Sequence, residues 1–265
     1  VIPGIYDSVP SEGFPIKVAE KMFIRKDYED SVFSWIIHSP LRATNEYKYS
    51  DLGFYLLAKA VEEITGQDFS RFLDSTFYQP LGLKTTEFRP LERFPVYRII
   101  PTENDQLFRK QLLRGYVHDP GAAMLGGVAG HAGLFSDATD IGVILQMLMN
   151  GGFYGGRQYL LPSTIKEFTR AQFPQNNNRR AMGFDRQLQV PDANGPVCES
   201  ASPQSYGHSG FTGTYFWSDP TNGLVYIFLS NRVNPDASNQ KLSDLNIRTK
   251  IHQAMYDILK TVRTD

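Results

Sequence analysis

The chain has 265 residues, 41% of them hydrophobic and 21% charged, which is ample apolar material for a sizeable core. Its 27 basic and 28 acidic residues are scattered and nearly cancel to −1, so no basic patch can track a phosphate backbone, and nucleic acid is excluded as a partner. No stretch approaches the ~18 apolar residues of a membrane span, and the single cysteine, Cys198, excludes an internal disulfide.

Taken in chain order, "VIPGIYDSVPSEGFP" reads as loop, and "SVFSWIIHSPL" predicts a short helix ending before Pro40. After Asp51, the spacing of Phe54, Leu57, Ala58, Val61 and Ile64 predicts a helix stopped by Gly66. A second helix carries Phe69, Phe72, Leu73 and Phe77, and residues 86–120 look irregular. The Gly- and Ala-rich "GAAMLGGVAGHAGLFS" leads to a helix from Ser136, with Ile141, Ile144, Leu145 and Leu148 on one face and Asn150-Gly151-Gly152 as its stop. In "LPSTIKEF", Thr164 to Glu167 fits a capping box.

From residue 181 the character changes. "AMGFDRQLQV" reads as a strand. "SYGHSGFTGTYFW" and "LVYIFLSN" read as two further strands joined by the turn-rich "SDPTNG". The last 20 residues form a helix expected to turn Leu245, Ile251, Met255, Ile258, Leu259 and Val262 inward. Helices, then strands, then a closing helix imply an α+β fold, an antiparallel sheet flanked by helices, as a single domain over residues 1–265.

Two triplets carry candidate chemistry. Tyr49-Ser50-Asp51 stands directly before a helix, where Ser or Asp is ordinarily a cap. His208-Ser209-Gly210 lies in a strand, where a glycine marks close approach to the backbone. Each alone favours the structural reading. Together, and in this order, they resemble the second and third motifs of the serine β-lactamase and penicillin-binding protein family, in its class C-like, DD-peptidase and esterase branch. The text from "YSDLGFYLLAKAVEEITG" through "GHAGLFSDATDIG" is similar as well. The resemblance covers about residues 40 to 262, and within the family it looks most like domains fused behind family 3 glycoside hydrolases.

That resemblance implies a β-lactamase/transpeptidase-like fold and acyl transfer through a seryl ester. Tyr49 and His208 would be catalytic, and Asp51, Ser209, Gly210 and Thr212 would bind substrate. No metal or cofactor is implied, and the partner would be a small-molecule or peptide substrate in the periplasm or cell envelope. Two departures stand out. Asp51 replaces the usual Asn, so an ionised side chain here could only accept hydrogen bonds. No Ser-x-x-Lys precedes Tyr49: none of Ser8, Ser11, Ser31, Ser34 and Ser39 has a lysine three residues on. Ser163 to Lys166 and Ser238 to Lys241 match the string in the wrong order.

With Val1 in place of a methionine, the expectation is the C-terminal two-thirds of such a domain, incomplete at its N-terminus by about 100 residues and inactive alone. Two alternatives stay open: a non-catalytic binder of peptidoglycan peptides, and an esterase with Ser209 as nucleophile in "GHSGF", a near match to Gly-x-Ser-x-Gly. "GGVAGHAG" could also present backbone N–H groups to an anion, while His118 and His131 lack companions at metal-ligand spacing.

Overall fold

The computed structural model describes residues 4–42, 47–176 and 178–262. They form two compact units, one running to Ser136 with Asn234–Ala237 added, the other comprising Asp137–Val233 and Ser238 onward.

The first unit opens with three short strands, β1 (Tyr6–Asp7), β2 (Ile16–Ala19) and β3 (Met22–Ile24), in the antiparallel order β1-β3-β2. The stretch expected to be loop thus contains β1. Val18 and Ile24 pack with Ile5, Val117, Ala122, Ala123 and Ala129. Helix α1 (Tyr28–Ile37) is followed by α2 (Leu52–Thr65), which Gly66 closes at φ 67° in the left-handed region that glycine tolerates best. None of the side chains of α2 is fully buried, and Leu57 and Ile64 are exposed. Helix α3 (Phe69–Leu73) is capped by Asp68, which accepts the Arg71 N–H.

The irregular stretch 86–120 contains a hairpin, β4 (Pro101–Asp105) and β5 (Gln111–Arg114), organised by Arg109. The Arg109 side chain is fully buried between Glu103 at 3.1 Å and Asp105 at 2.8 Å, and it donates to the carbonyls of Val117 and His118. Helix α4 (Pro120–Met124) follows, with Asp119 as its cap.

The second unit begins with α5 (Ala138–Met149), whose cap is Asp137, accepting the Asp140 N–H, one residue later than Ser136. After the small hairpin β6 (Phe153–Tyr154) and β7 (Arg157–Gln158) comes α6 (Pro162–Thr169). The expected capping box is absent. Pro162 occupies the first helical position, so the helix starts before Thr164 and its cap, Leu161, offers no side-chain acceptor.

Four antiparallel strands make the main sheet, in the order β11 (Leu224–Phe228), β10 (Tyr215–Asp219), β9 (Tyr206–Ser209), β8 (Asp185–Arg186). The β10–β11 hairpin matches expectation. The single strand read over 205–217 does not hold: it divides into β9 and β10 at a tight turn. There Gly210 N–H donates to the Thr214 carbonyl and Gly213 takes φ 109°. The strand read over 181–190 shrinks to β8.

After α7 (Lys241–Asp244), the closing helix α8 (Ile247–Val262) packs His252 and Tyr256 against Tyr215 and Tyr226. The expected inward face is turned out: Ile251, Met255, Ile258 and Val262 are exposed, at 38–68%, as is Leu245. Buried Asp219 fixes this side of the sheet, accepting from Ser202, Asn222 and the Tyr256 hydroxyl at 2.6 Å. Burial alone would raise its carboxyl, but these donors hold it below the usual range.

Candidate active site

In the first unit, Asp51 occupies the cap position of α2 but makes no capping hydrogen bond. Ser50 Oγ takes a local N–H instead, from Leu52 at 3.3 Å. The Asp51 carboxylate therefore accepts no hydrogen bond from any described residue, and the Tyr49 ring is 53% exposed. The triplet fulfils its capping role poorly and leaves a phenol and a carboxylate at the surface ahead of α2.

The Gly-rich loop after α4 packs against this helix. A Cβ at Gly130 of this loop would lie 2.2 Å from the Phe54 carbonyl oxygen, and one at Gly121, within α4 itself, would strike the Tyr55 hydroxyl. His131 stacks on Tyr55, with ring centroids 4.2 Å apart, and its Nε2 lies 2.9 Å from Asp119 Oδ1. These glycines permit close packing on α2, a structural account of the motif that needs no anion. His118 Nδ1 lies 2.9 Å from Glu103 in the same unit. Burial pushes the Tyr55 phenol up to about 12, aided by Asp119 and Asp51, so it stays protonated.

In the second unit, strand alternation sends His208 and Ser209 to opposite faces of the sheet. His208 lies across from Phe216, on the side where α5 meets Ile227. Ser209 lies across from Tyr215, on the side covered by α8. The His208 ring is held at both nitrogens: Nδ1 is 2.9 Å from the Ser209 carbonyl, and Nε2 is 3.0 Å from Arg180 Nη1. Arg180 also pairs with buried Asp185 at 2.9 Å.

Arg180 is the functional candidate that the motif reading missed; the only sequence signal was the Arg179-Arg180 pair ahead of the strand. At the turn after β9, Gly210 N–H is committed to Thr214, whereas Thr212 N–H has no acceptor among the described residues, and the Thr212 carbonyl accepts from Arg232. Ser209 ends a strand and runs into a turn, not the helix that a nucleophile elbow requires. Ser163 sits in the exposed first turn of α6.

An antiparallel sheet with helices on both faces, a tyrosine motif ahead of a helix and a histidine motif on a strand together define a class, and the comparisons agree with it. The chain belongs to the β-lactamase family, whose model, described as Beta-lactamase, matches residues 16–249. A relative in Salmonella agona, provisionally named a D-alanyl-D-alanine carboxypeptidase, is 34% identical over 240 residues, covering 85% of this chain and 54% of that protein. A namesake in Salmonella gallinarum gives the same figures over 241 residues. The chain thus spans about half the length of these relatives. Among solved structures, a β-lactamase from Mycobacterium bovis matches at TM-score 0.56 and 20% identity, covering 83% of this chain and 66% of that one. A penicillin-binding protein homologue from Caulobacter crescentus matches at TM-score 0.55 and 19% identity, covering 77% and 58%. These two likenesses concern the fold. No described helix is long and apolar enough to cross a membrane.

Proposed function

We propose that this chain supplies the tyrosine and histidine motifs of a serine hydrolase that works through an acyl-enzyme, and that the nucleophile comes from polypeptide outside residues 1–265. The observation that carries this reading is the pair of motifs in family order, within a family match that spans most of the chain, with no Ser-x-x-Lys ahead of Tyr49. The chain's coverage of 54% of its relatives' length leaves room for such a segment. The substrate is an amide or ester carbonyl. The relatives' names favour a peptide ending in D-alanyl-D-alanine over a β-lactam or a simple carboxylester.

In this mechanism the nucleophilic serine attacks the carbonyl and Tyr49 carries the proton from it to the leaving group. A phenol of ordinary pKa ~10 needs nearby positive charge to act as a base near neutrality. On the strand motif the Arg180 guanidinium, which backs the His208 ring, supplies positive charge. Thr212 N–H is the uncommitted donor for the developing oxyanion. Asp51, an acceptor where an amide is usual, suits a substrate N–H better than a carbonyl. Without its nucleophile the chain alone forms no acyl-enzyme. The periplasm or cell envelope is the matching compartment, and fusion behind a glycoside hydrolase would be read directly from the upstream reading frame.

The test is turnover of a D-alanyl-D-alanine peptide and of nitrocefin by the domain extended upstream to include a Ser-x-x-Lys. Tyr49→Phe should lower turnover by about 10²–10⁴-fold. Full activity in that variant would sink the assignment, and an upstream sequence without the motif would favour the peptide-binding alternative.

A further inference from the structure

His131, in the loop after α4, is clamped from two sides. Its side chain is 3% exposed, and its ring stacks on Tyr55 with centroids 4.2 Å apart and planes 22° from parallel. Its Nε2 lies 2.9 Å from Asp119 Oδ1, an oxygen that also accepts the Ala122 N–H at 2.7 Å. A carboxylate only accepts, so the imidazole gives its Nε2 hydrogen to Asp119. The buried Nδ1 has no partner among the described residues, a cost that a phenyl ring in the same slot would avoid. What the imidazole adds over a phenyl ring is the bond to Asp119, which fixes the rotation of the ring. The backbone nearby leaves little room to shift: a Cβ at Gly130 would lie 2.2 Å from the Phe54 carbonyl oxygen, and one at Gly121 would lie 1.8 Å from the Tyr55 hydroxyl. Tyr55 sits one turn after Asp51, whose carbonyl accepts the Phe54 and Tyr55 N–H groups at 2.9 and 3.4 Å. Contacts therefore run from Asp119 through His131 and Tyr55 to the residue that closes the Tyr49-Ser50-Asp51 motif.

We propose that His131 is a positioning residue for the Tyr49-Ser50-Asp51 motif, setting the aim of the first turn of α2 through the Tyr55 ring. This rests on the catalytic role given to Tyr49 above. The buried ring acts through Tyr55 and not on substrate. A phenol that must reach both a nucleophile and a leaving group tolerates little error, since a misplacement of about 1 Å can cost about 10²-fold in rate. Asp119, which caps α4 and holds the His131 ring with the same oxygen, is the anchor of the device.

The test compares His131→Ala and His131→Phe, by turnover of a D-alanyl-D-alanine peptide in the upstream-extended domain and by NMR in residues 1–265. In the extended domain His131→Ala should lower kcat per folded molecule by about tenfold or more, with KM within about threefold. His131→Phe, which restores the stack but not the bond to Asp119, should recover part of the loss. In residues 1–265 the Tyr49 ring and Asp51 carboxyl resonances should move in His131→Ala and take intermediate positions in His131→Phe. A lower unfolding temperature with kcat and these resonances unchanged would make His131 a packing residue and overturn the proposal, as would a phenylalanine variant no better than alanine. Should His131→Ala fail to fold, Gly130→Ala decides, because its added methyl pushes the loop off the Phe54 carbonyl. The same resonances should then move, and unmoved resonances would overturn the proposal. The functional reading fails separately: full turnover in Tyr49→Phe would sink it, while the resonances would still decide whether His131 sets the motif.

Discussion

Arg180 Nη1 stands 3.0 Å from His208 Nε2, on the side of the imidazole opposite its 2.9 Å contact with the Ser209 carbonyl. A guanidinium can only donate, so Nε2 must accept, and the ring proton of His208 belongs on Nδ1, where the carbonyl receives it. The ring is thus oriented from both sides, by Arg180 and by the backbone of its own strand.

The first prediction concerns that tautomer. Nitrogen-15 spectra of the imidazole near neutral pH should show a protonated Nδ1 and a bare Nε2 for His208. Arg180→Leu should release the ring and mix the tautomers. A proton on Nε2 in the wild-type protein would contradict the geometry.

His252 makes stability depend on pH. It is fully buried and stacked on Tyr226 at 4.5 Å, and its burial outweighs the pull of Asp219 and pushes its pKa down from 6.5 to about 4. Below pH 6.5 the unfolded chain takes up a proton that the folded one refuses. Stability is therefore unaffected above that value and falls by about 3 kcal/mol as pH drops to 4. Urea unfolding at pH 7.5, 5.5 and 4.5 measures this, and His252→Phe should flatten the slope.

Arg109 is the polar centre of the first unit. Arg109→Met should destabilise by roughly 3–5 kcal/mol, because Glu103 and Asp105 would remain buried without their cation. Burial works to raise the Asp105 carboxyl, but Arg109 and three backbone N–H groups prevail and hold it at about 2, below its ordinary 3.8. Its contribution to stability is therefore present above pH 3.8 and disappears as pH falls toward 2. Acid titration of Asp105 by carboxyl-carbon NMR checks the value, and a midpoint near 4 would refute it.

The outward stripe on α8 yields an opposite expectation. Met255→Glu and Ile258→Lys should each change unfolding stability by no more than about 0.5 kcal/mol, and the double variant should self-associate less in sedimentation, since it breaks an exposed apolar row. A loss of several kcal/mol would mean that the stripe is packed.

Local chemistry explains what the sequence revealed and what it hid. α2 and α5 were legible because apolar spacing, a cap or stop residue and a glycine agreed on their limits. The β10–β11 hairpin was legible from its turn residues. The strands β2 and β3 are too short for alternation to register, and β9 and β10 fused because the turn between them is framed by aromatic residues of high strand propensity. On α8 the period was right and the face wrong. Aromatic His252 and Tyr256 fill the interior, and periodicity cannot tell which of two part-apolar faces packs. Tyr49 and His208 were found through motif resemblance. Arg180 was hidden because its link to His208 exists only once β8 pairs with β9.

The measurement that bears most directly on the central claim is intact and peptide mass spectrometry of the upstream-extended domain, trapped with a fluorescent penicillin or a slow ester. The expected result is a single acyl adduct on a serine outside residues 1–265, formed more slowly in Tyr49→Phe, and no adduct on residues 1–265 alone. An adduct on Ser209, or acylation at an unchanged rate without the Tyr49 phenol, would contradict it.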